Sequence, residues 1–324
     1  MKQISLLLLI PLALSCSAGS DTIINNSGGD NNGGGENGVS LATIFAGSYN
    51  HGIFRSLDTG KTWTSPSQNG RGFVYGIASN GHALFAATAS EGSGSAGIFR
   101  SADNGVTWTQ LSGVPDSNVF SIYASGSVIL AGTRDNAVFR STDEGSHWTN
   151  VATSMQPVLN FVKFGSAIFG SAQGSGVIRS TDNGVTWTAL SNGFPASSVN
   201  WVTADGQTLY AQTYIKGVYR STDNGDHWAQ LGQNLFYGSG IAAHGATLYV
   251  ATNTGFFRSI DSGQTWKHID VIPSFSAYSV ATNGNYVFAP SEVNGMFVSA
   301  DNGTTWQQRN VGLTDTALIS VSFK

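Results

Sequence analysis

Short runs of apolar, aromatic and β-branched residues alternate with breaks rich in glycine, asparagine and serine along most of this chain. Residues 73–78 (Phe-Val-Tyr-Gly-Ile-Ala) form one such run, and Asn80-Gly81 after it is a hairpin signal. Residues 83–88 form a second run, Gly97–Ser101 a third and residues 107–111 a fourth. The same succession recurs farther on, for example at 198–204, 208–212, 217–221 and 227–231. Each group predicts four short antiparallel strands joined by tight turns, and no segment carries a helical period.

These groups keep step with a motif, Ser-x-Asp-x-Gly-x-x-Trp, which occurs seven times, beginning at Ser56, Ser101, Ser141, Ser180, Ser221, Ser259 and Ser299. Its aspartates are Asp58, Asp103, Asp143, Asp182, Asp223, Asp261 and Asp301, spaced by 45, 40, 39, 41, 38 and 40 residues. Its tryptophans are Trp63, Trp108, Trp148, Trp187, Trp228, Trp266 and Trp306. A fixed period of this size signals a stacked repeat, and four strands per period is the blade of a β-propeller. The chain ends agree. Residues 41–46 match a second strand rather than a first, whereas 317–322 match a first strand with no blade to follow. The last strand can therefore complete the blade that the first segments begin, which removes an exposed sheet edge. The expectation is an all-β fold: a single seven-bladed β-propeller over residues 40–324, four antiparallel strands per blade, closed by the C-terminal strand.

Composition narrows the partners. Only 10% of the residues are charged and 41 are glycine, as suits short strands and tight turns. The net charge of −4 offers no basic surface for nucleic acid. Lys2 followed by an apolar stretch from Ile4 to Leu14, interrupted only by Ser5, reads as a signal peptide over residues 1–15, too short for a membrane span. Cys16, the only cysteine, follows Leu12-Ala13-Leu14-Ser15, which resembles the lipobox of bacterial lipoproteins, with Ala13 where leucine is commonest. That resemblance implies lipidation at Cys16, and Ser17 resembles the sorting position of outer-membrane lipoproteins. The expected location is the bacterial cell envelope, lipid-anchored at the outer membrane or cell surface; the alternative is a secreted or periplasmic protein. Residues 16–39 carry the anchor and a Gly/Asn-rich linker spanning about 25–30 Å. A monomeric propeller domain is expected.

The repeated motif resembles the Asp-box, or bacterial neuraminidase repeat. The resemblance implies a turn between third and fourth strands: the carboxylate accepts bonds from turn N–H groups, the glycine takes positive φ, and the tryptophan anchors the outgoing strand. Seven aspartates on separate blades cannot share one site, so they read as structural. Arginine precedes six boxes, at Arg55, Arg100, Arg140, Arg179, Arg220 and Arg258, with Val298 in the seventh. A residue recurring once per blade serves the blade, by stacking or by bonding a neighbouring blade; an anion-binding ring is the alternative. The six histidines form no ligand-like cluster and no phosphate loop precedes a helix, so neither metal nor cofactor is expected.

Specific function then falls to what does not repeat, on the face opposite the boxes. The ligand-face candidates are Tyr49, His51, Arg71, Arg134, Asp135, Tyr214, Lys216, Tyr237 and Glu292, with Trp201 on a first strand. Two enzyme resemblances bear on this set. Sialidases share the box, but their Phe-Arg-Ile-Pro hallmark is absent, and only Arg71, Arg134 and Arg309 lie outside the repeat. Xyloglucan-type glucanases share phrases such as Gly-Val-Tyr-Arg-Ser-Thr-Asp, but pair two propellers. Were the chain a glycoside hydrolase, Glu91, Asp135 and Glu292 would be its catalytic carboxylates. The chain also resembles single propellers of the photosystem II stability and assembly factor family, which implies binding of a protein partner without catalysis. The expectation is a membrane-tethered, non-enzymatic propeller that binds a protein or glycan. A glycoside hydrolase is the alternative, and a surface protein with no specific ligand is a third.

Overall fold

A computed structural model describes residues 43–65, 72–90, 96–114, 118–134, 138–152, 157–190, 198–232, 235, 237–272 and 278–324. The segments read as a signal peptide and linker lie outside these residues with Cys16, as do Arg71, Glu91 and Asp135. The strands Phe73–Ser79, Leu84–Ala89, Gly97–Ser101 and Thr109–Gln110 pair antiparallel in chain order. Five further four-stranded sheets, beginning at Val119, Val158, Val199, Gly238 and Ala281, repeat that order. In the remaining sheet, Leu318–Phe323 pairs with Ile44–Ser48, which pairs with Ile53–Ser56. Its fourth strand is reduced to one bridge between Arg55 and Thr64. The chain is thus a seven-bladed propeller closed by its C-terminal strand. We number the blades from this closing one.

The blades pack through seven apolar layers, one for each interface. Phe45, Leu84, Phe99 and Trp108 fill the layer between blades one and two, and Phe85, Ile98, Ile122 and Ala131 that between two and three. Ile44, Phe54 and Trp63 meet Phe288, Met296 and Val298 where blade seven meets blade one. The strand Leu84–Ala89 gives Leu84 and Ala86 to one layer and Phe85 and Ala87 to the next because successive side chains alternate. Full burial of one such phenylalanine is worth roughly 1.5–3 kcal/mol.

The innermost strands carry one further device. Their pairing with the second strand skips a residue at Ile319, Tyr75, Phe120, Leu159, Asn200 and Ser239, in blades one to six. Tyr278 holds the matching place in blade seven, three residues before the paired Ala281. A bulge re-aims its residue, here toward the axis. Ile319, Tyr75, Phe120 and Leu159 form one cluster with Phe73 and Tyr278, drawn from five blades, which can meet only at the channel. The next residue latches adjacent blades: Ser320 Oγ donates to Val74 O at 2.8 Å, Ser121 Oγ to Val158 O at 2.6 Å, and Asn160 Nδ2 to Val202 O at 2.8 Å.

Candidate functional site

The boxes form one face. In each, the serine Oγ donates to the aspartate Oδ1 at 2.7–2.8 Å and accepts from the box glycine N–H, at 2.8 Å in the second blade. The residue before the tryptophan donates its N–H to the same Oδ1, at 2.9 Å from Thr107. Its side chain reaches Oδ2, as a threonine hydroxyl in five boxes and as His147 or His227 in two. The residue before each glycine takes positive φ, as at Asn104 with 57°. These donors hold Asp143, Asp182, Asp223, Asp261 and Asp301 down to about 2, Asp143 and Asp223 first through the backbone N–H of the histidine and the others first through the threonine hydroxyl. Every box carboxylate is committed to its own turn, as the structural reading of the motif requires.

Four of the six box arginines, Arg100, Arg140, Arg179 and Arg258, bond the next blade. Arg140 Nε donates to Asn183 O at 2.8 Å, and Arg179 donates to Asn224 O at 2.8 Å and Asp226 at 2.7 Å. Arg100 pairs with Glu144 at 2.5 Å. Where blade seven has Val298, Arg309 arrives from the following segment and donates to Thr59 O at 2.7 Å, closing the arginine ring by another route. Arg309 therefore serves the box face and not the ligand face. Asn104 Nδ2 also donates to Thr43 Oγ1 at 3.2 Å, so the chain enters the ring on the box face.

On the opposite face, the mouth is built where blades seven, one and two meet. The segment 315–317 is tied on one side to the blade-seven loop, Gly295 N–H to Thr316 O at 3.0 Å, and on the other to the blade-one loop, Tyr49 N–H to Ala317 O at 2.8 Å. Asp315 accepts from Ala317 N–H at 2.9 Å and Asn50 N–H at 3.4 Å, with His51 Nδ1 at 3.0 Å. Burial alone would raise its pKa, but these bonds outweigh it and hold the carboxyl below the usual range. The Tyr49 ring, 38% exposed, lies 4.1 Å from the Phe73 centroid. Edge contacts continue inward, Phe73 to Tyr75 at 6.1 Å and Tyr75 to Phe120 at 5.1 Å. Tyr278 bonds Glu292; burial first, then that carboxylate and Tyr49, push its phenol well above the usual tyrosine value.

A second cluster crosses blades five and six. Tyr214 and Tyr237 meet edge to face at 5.1 Å. Tyr237 N–H donates to Tyr214 O at 2.5 Å, and Tyr237 O accepts from Asn253 N–H at 3.1 Å. Tyr237 holds φ at 57°; among the described residues the other non-glycine residues of positive φ all belong to boxes. Burial, then Tyr237, raises the Tyr214 phenol. Lys216 closes its loop through backbone bonds to Thr213 Oγ1 at 3.0 Å and from Gln230 Nε2 at 2.6 Å. Arg134 donates its N–H to Asn118 O at 3.0 Å.

The structure thus joins Tyr49, His51 and Glu292 in one sector and Tyr214, Lys216 and Tyr237 in another. Trp201 lies in the layer between blades five and six, not at the channel. Tyr75 and Phe120 are not legible as channel-facing because a bulge breaks the alternation from which facing is read. A usable signal exists: the bulge position varies from blade to blade while the residue before it is valine in blades two to five, at Val74, Val119, Val158 and Val199. Among the described residues no group of histidine, cysteine and carboxylate side chains could hold a metal ion.

A family model described as the DUF6242 beta propeller domain matches residues 167–277. No curated protein sequence matches the chain significantly. The fold is similar to the GH74 xyloglucanase from Xanthomonas campestris, at 16% identity and TM-score 0.64, covering 87% of this chain and 52% of that one. This chain therefore spans about half the xyloglucanase. It is similar to YCF48 bound to D1 peptide, at 16% identity and TM-score 0.56, covering 77% of this chain and 89% of that one. It is also similar to the extracellular domain of BT4673 from B. thetaiotaomicron, at 15% identity and TM-score 0.63, covering 80% of this chain and 37% of that one. At these identities the likeness is one of fold.

Proposed function

We propose that this chain is an exported, lipid-anchored binding module that engages a protein or glycan partner through its channel mouth, without catalysis. The observation that carries this is the aromatic track running from exposed Tyr49 through Phe73 and Tyr75 to Phe120. Aromatic rings that grade from exposed to buried offer a large, rigid contact area at low entropic cost. The nearby carboxylates have other duties: Asp315 ties two loops together, and Glu292 is bonded to Tyr278. The likeness to YCF48, solved with a D1 peptide, favours a polypeptide over a glycan.

The likeness to the xyloglucanase favours a second reading, glycoside hydrolysis using Glu292 with Glu91 or Asp135. Its cleft would need two carboxylates some 5–10 Å apart. The binding reading is tested by probing peptide and glycan arrays with the full chain and with Tyr49→Ala and Tyr237→Ala. We expect at least one class of probe to be retained, with Tyr49→Ala weakening it about tenfold, or about 1.4 kcal/mol. Retention indifferent to both substitutions would place the interaction elsewhere. No retention of any probe would favour a structural surface protein.

A further inference from the structure

We propose that the mouth sector shared by blades seven, one and two is a receptor for one cationic side chain, a lysine or arginine of a polypeptide partner. This rests on the binding-module reading above and names the chemistry of its site. The sector presents π surface and negative charge together. Tyr49 is 38% exposed and tilted against Phe73, with ring centroids 4.1 Å apart and planes at 49°, and Tyr278 packs in the same cluster as Phe73. Glu292 flanks this group on the blade-seven loop, which Gly295 N–H ties to Thr316 O at 3.0 Å, and Asp315 sits at its back, its carboxylate already bonded by His51, Asn50 and Ala317. The described segments that build the sector, residues 49–52, 72–73, 278–280, 291–295 and 313–317, contain no lysine or arginine, and His51 within them pairs with Asp315 at 3.0 Å; Arg71, which adjoins them, lies outside the described residues.

Each element selects against other ligands. A cation over an aromatic face gains from the ring quadrupole, and an adjacent carboxylate deepens that attraction. An anion would meet the Glu292 carboxylate, whereas Asp315 is already bonded by His51, Asn50 and Ala317. A small inorganic cation would need convergent oxygen ligands, and no such metal-holding group occurs among the described residues. Val293, 65% exposed at the rim, offers apolar surface for the methylene stem that lysine and arginine carry below their charged heads. The site therefore matches a long aliphatic stem ending in a cation. Tyr214, Lys216 and Tyr237, on the far side of the mouth, would then meet a different part of the same polypeptide.

The test uses the full chain labelled with 3-fluorotyrosine, with the Tyr49 and Tyr278 resonances assigned by Tyr49→Phe and Tyr278→Phe. The probes are the Nα-acetyl N-methylamides of lysine, arginine, norleucine and glutamate. Lysine and arginine should shift both resonances saturably, norleucine and glutamate should not, and added salt should weaken the response. Glu292→Gln should weaken lysine binding about tenfold, and Glu292→Lys should turn the preference toward glutamate. Norleucine binding as well as lysine, or Glu292→Gln leaving lysine binding unchanged, would overturn the proposal. So would the absence of any shift up to the solubility limit of the probes. Array binding that still depends on Tyr49 but shows no cation preference would sink this inference alone. Loss of both would sink the binding-module reading with it.

Discussion

Replacing Ser101 by alanine isolates what the box serine does. Ser101 is 1% exposed, and its hydroxyl accepts from the Gly105 N–H at 2.8 Å while donating to Asp103 at 2.8 Å. Alanine leaves the buried Gly105 N–H without a partner, a cost of about 1–3 kcal/mol. Asp103 keeps the Thr107 N–H at 2.9 Å and the Thr107 hydroxyl at 2.5 Å and is open to water, so its lost bond adds little. Thr107→Val removes only that exposed hydroxyl bond and should cost under about 0.5–1 kcal/mol. The assay is the urea midpoint of each variant and of the double variant, together with hydrogen exchange of the Gly105 amide. Ser101→Ala should lower the melting temperature by roughly 2–6 °C, taking about 2 °C per kcal/mol for a domain of this size, and should speed Gly105 exchange. Equal losses in the two single variants, or unchanged Gly105 exchange, would refute the idea that the buried N–H is the costly group.

Two further predictions follow from the same geometry. Gly312 has φ 87°, and a Cβ there would overlap the Trp63 carbonyl oxygen, beside the Trp63 N–H to Val311 O bond of 2.8 Å. Gly312→Ala should therefore destabilise the closing blade by about 2 kcal/mol or more, read as earlier exchange of the amides in residues 318–323; an unchanged melting temperature would contradict this. Acid should act on all the boxes together. The folded-state pKa values of Asp143, Asp182, Asp223, Asp261 and Asp301 near 2 lie below the ordinary 3.8, and those of Asp58 and Asp103 are lowered too, so the unfolded chain binds more protons between these values. This contribution is complete above about pH 4 and disappears as pH falls through about 2. Melting temperature should be flat from pH 7 to 5 and fall steeply between 4 and 2, and a fall centred near pH 6 would point to other groups.

The fold was legible because its decisive bonds are local. A serine, an aspartate and a glycine within one turn set each box, so four spaced letters specify the geometry without tertiary context. Ring closure was legible from the mismatch between the chain ends, and residues 44–48 and 318–323 pair as that mismatch implied. Four of the six box arginines bond between blades as expected, yet the use of Arg309 in place of Val298 depends on a path no local pattern encodes. The mouth was only half legible. Tyr49, His51 and Glu292 stood out as loop residues that do not repeat, but their gathering depends on backbone ties through segment 315–317. Tyr75 and Phe120 were hidden for a different reason. A bulge adds one residue to the strand count, so an inward-facing side chain reads as one more member of an apolar run.

The central claim is that the mouth binds and does not catalyse. The measurement that tests it most directly is turnover by the purified full chain across aryl glycosides, sialosides and plant β-glucans. The account predicts no turnover that responds to Glu91→Gln, Asp135→Asn or Glu292→Gln. Hydrolysis of any of these substrates that is abolished by one of those substitutions would contradict it and place an acid–base pair at the mouth.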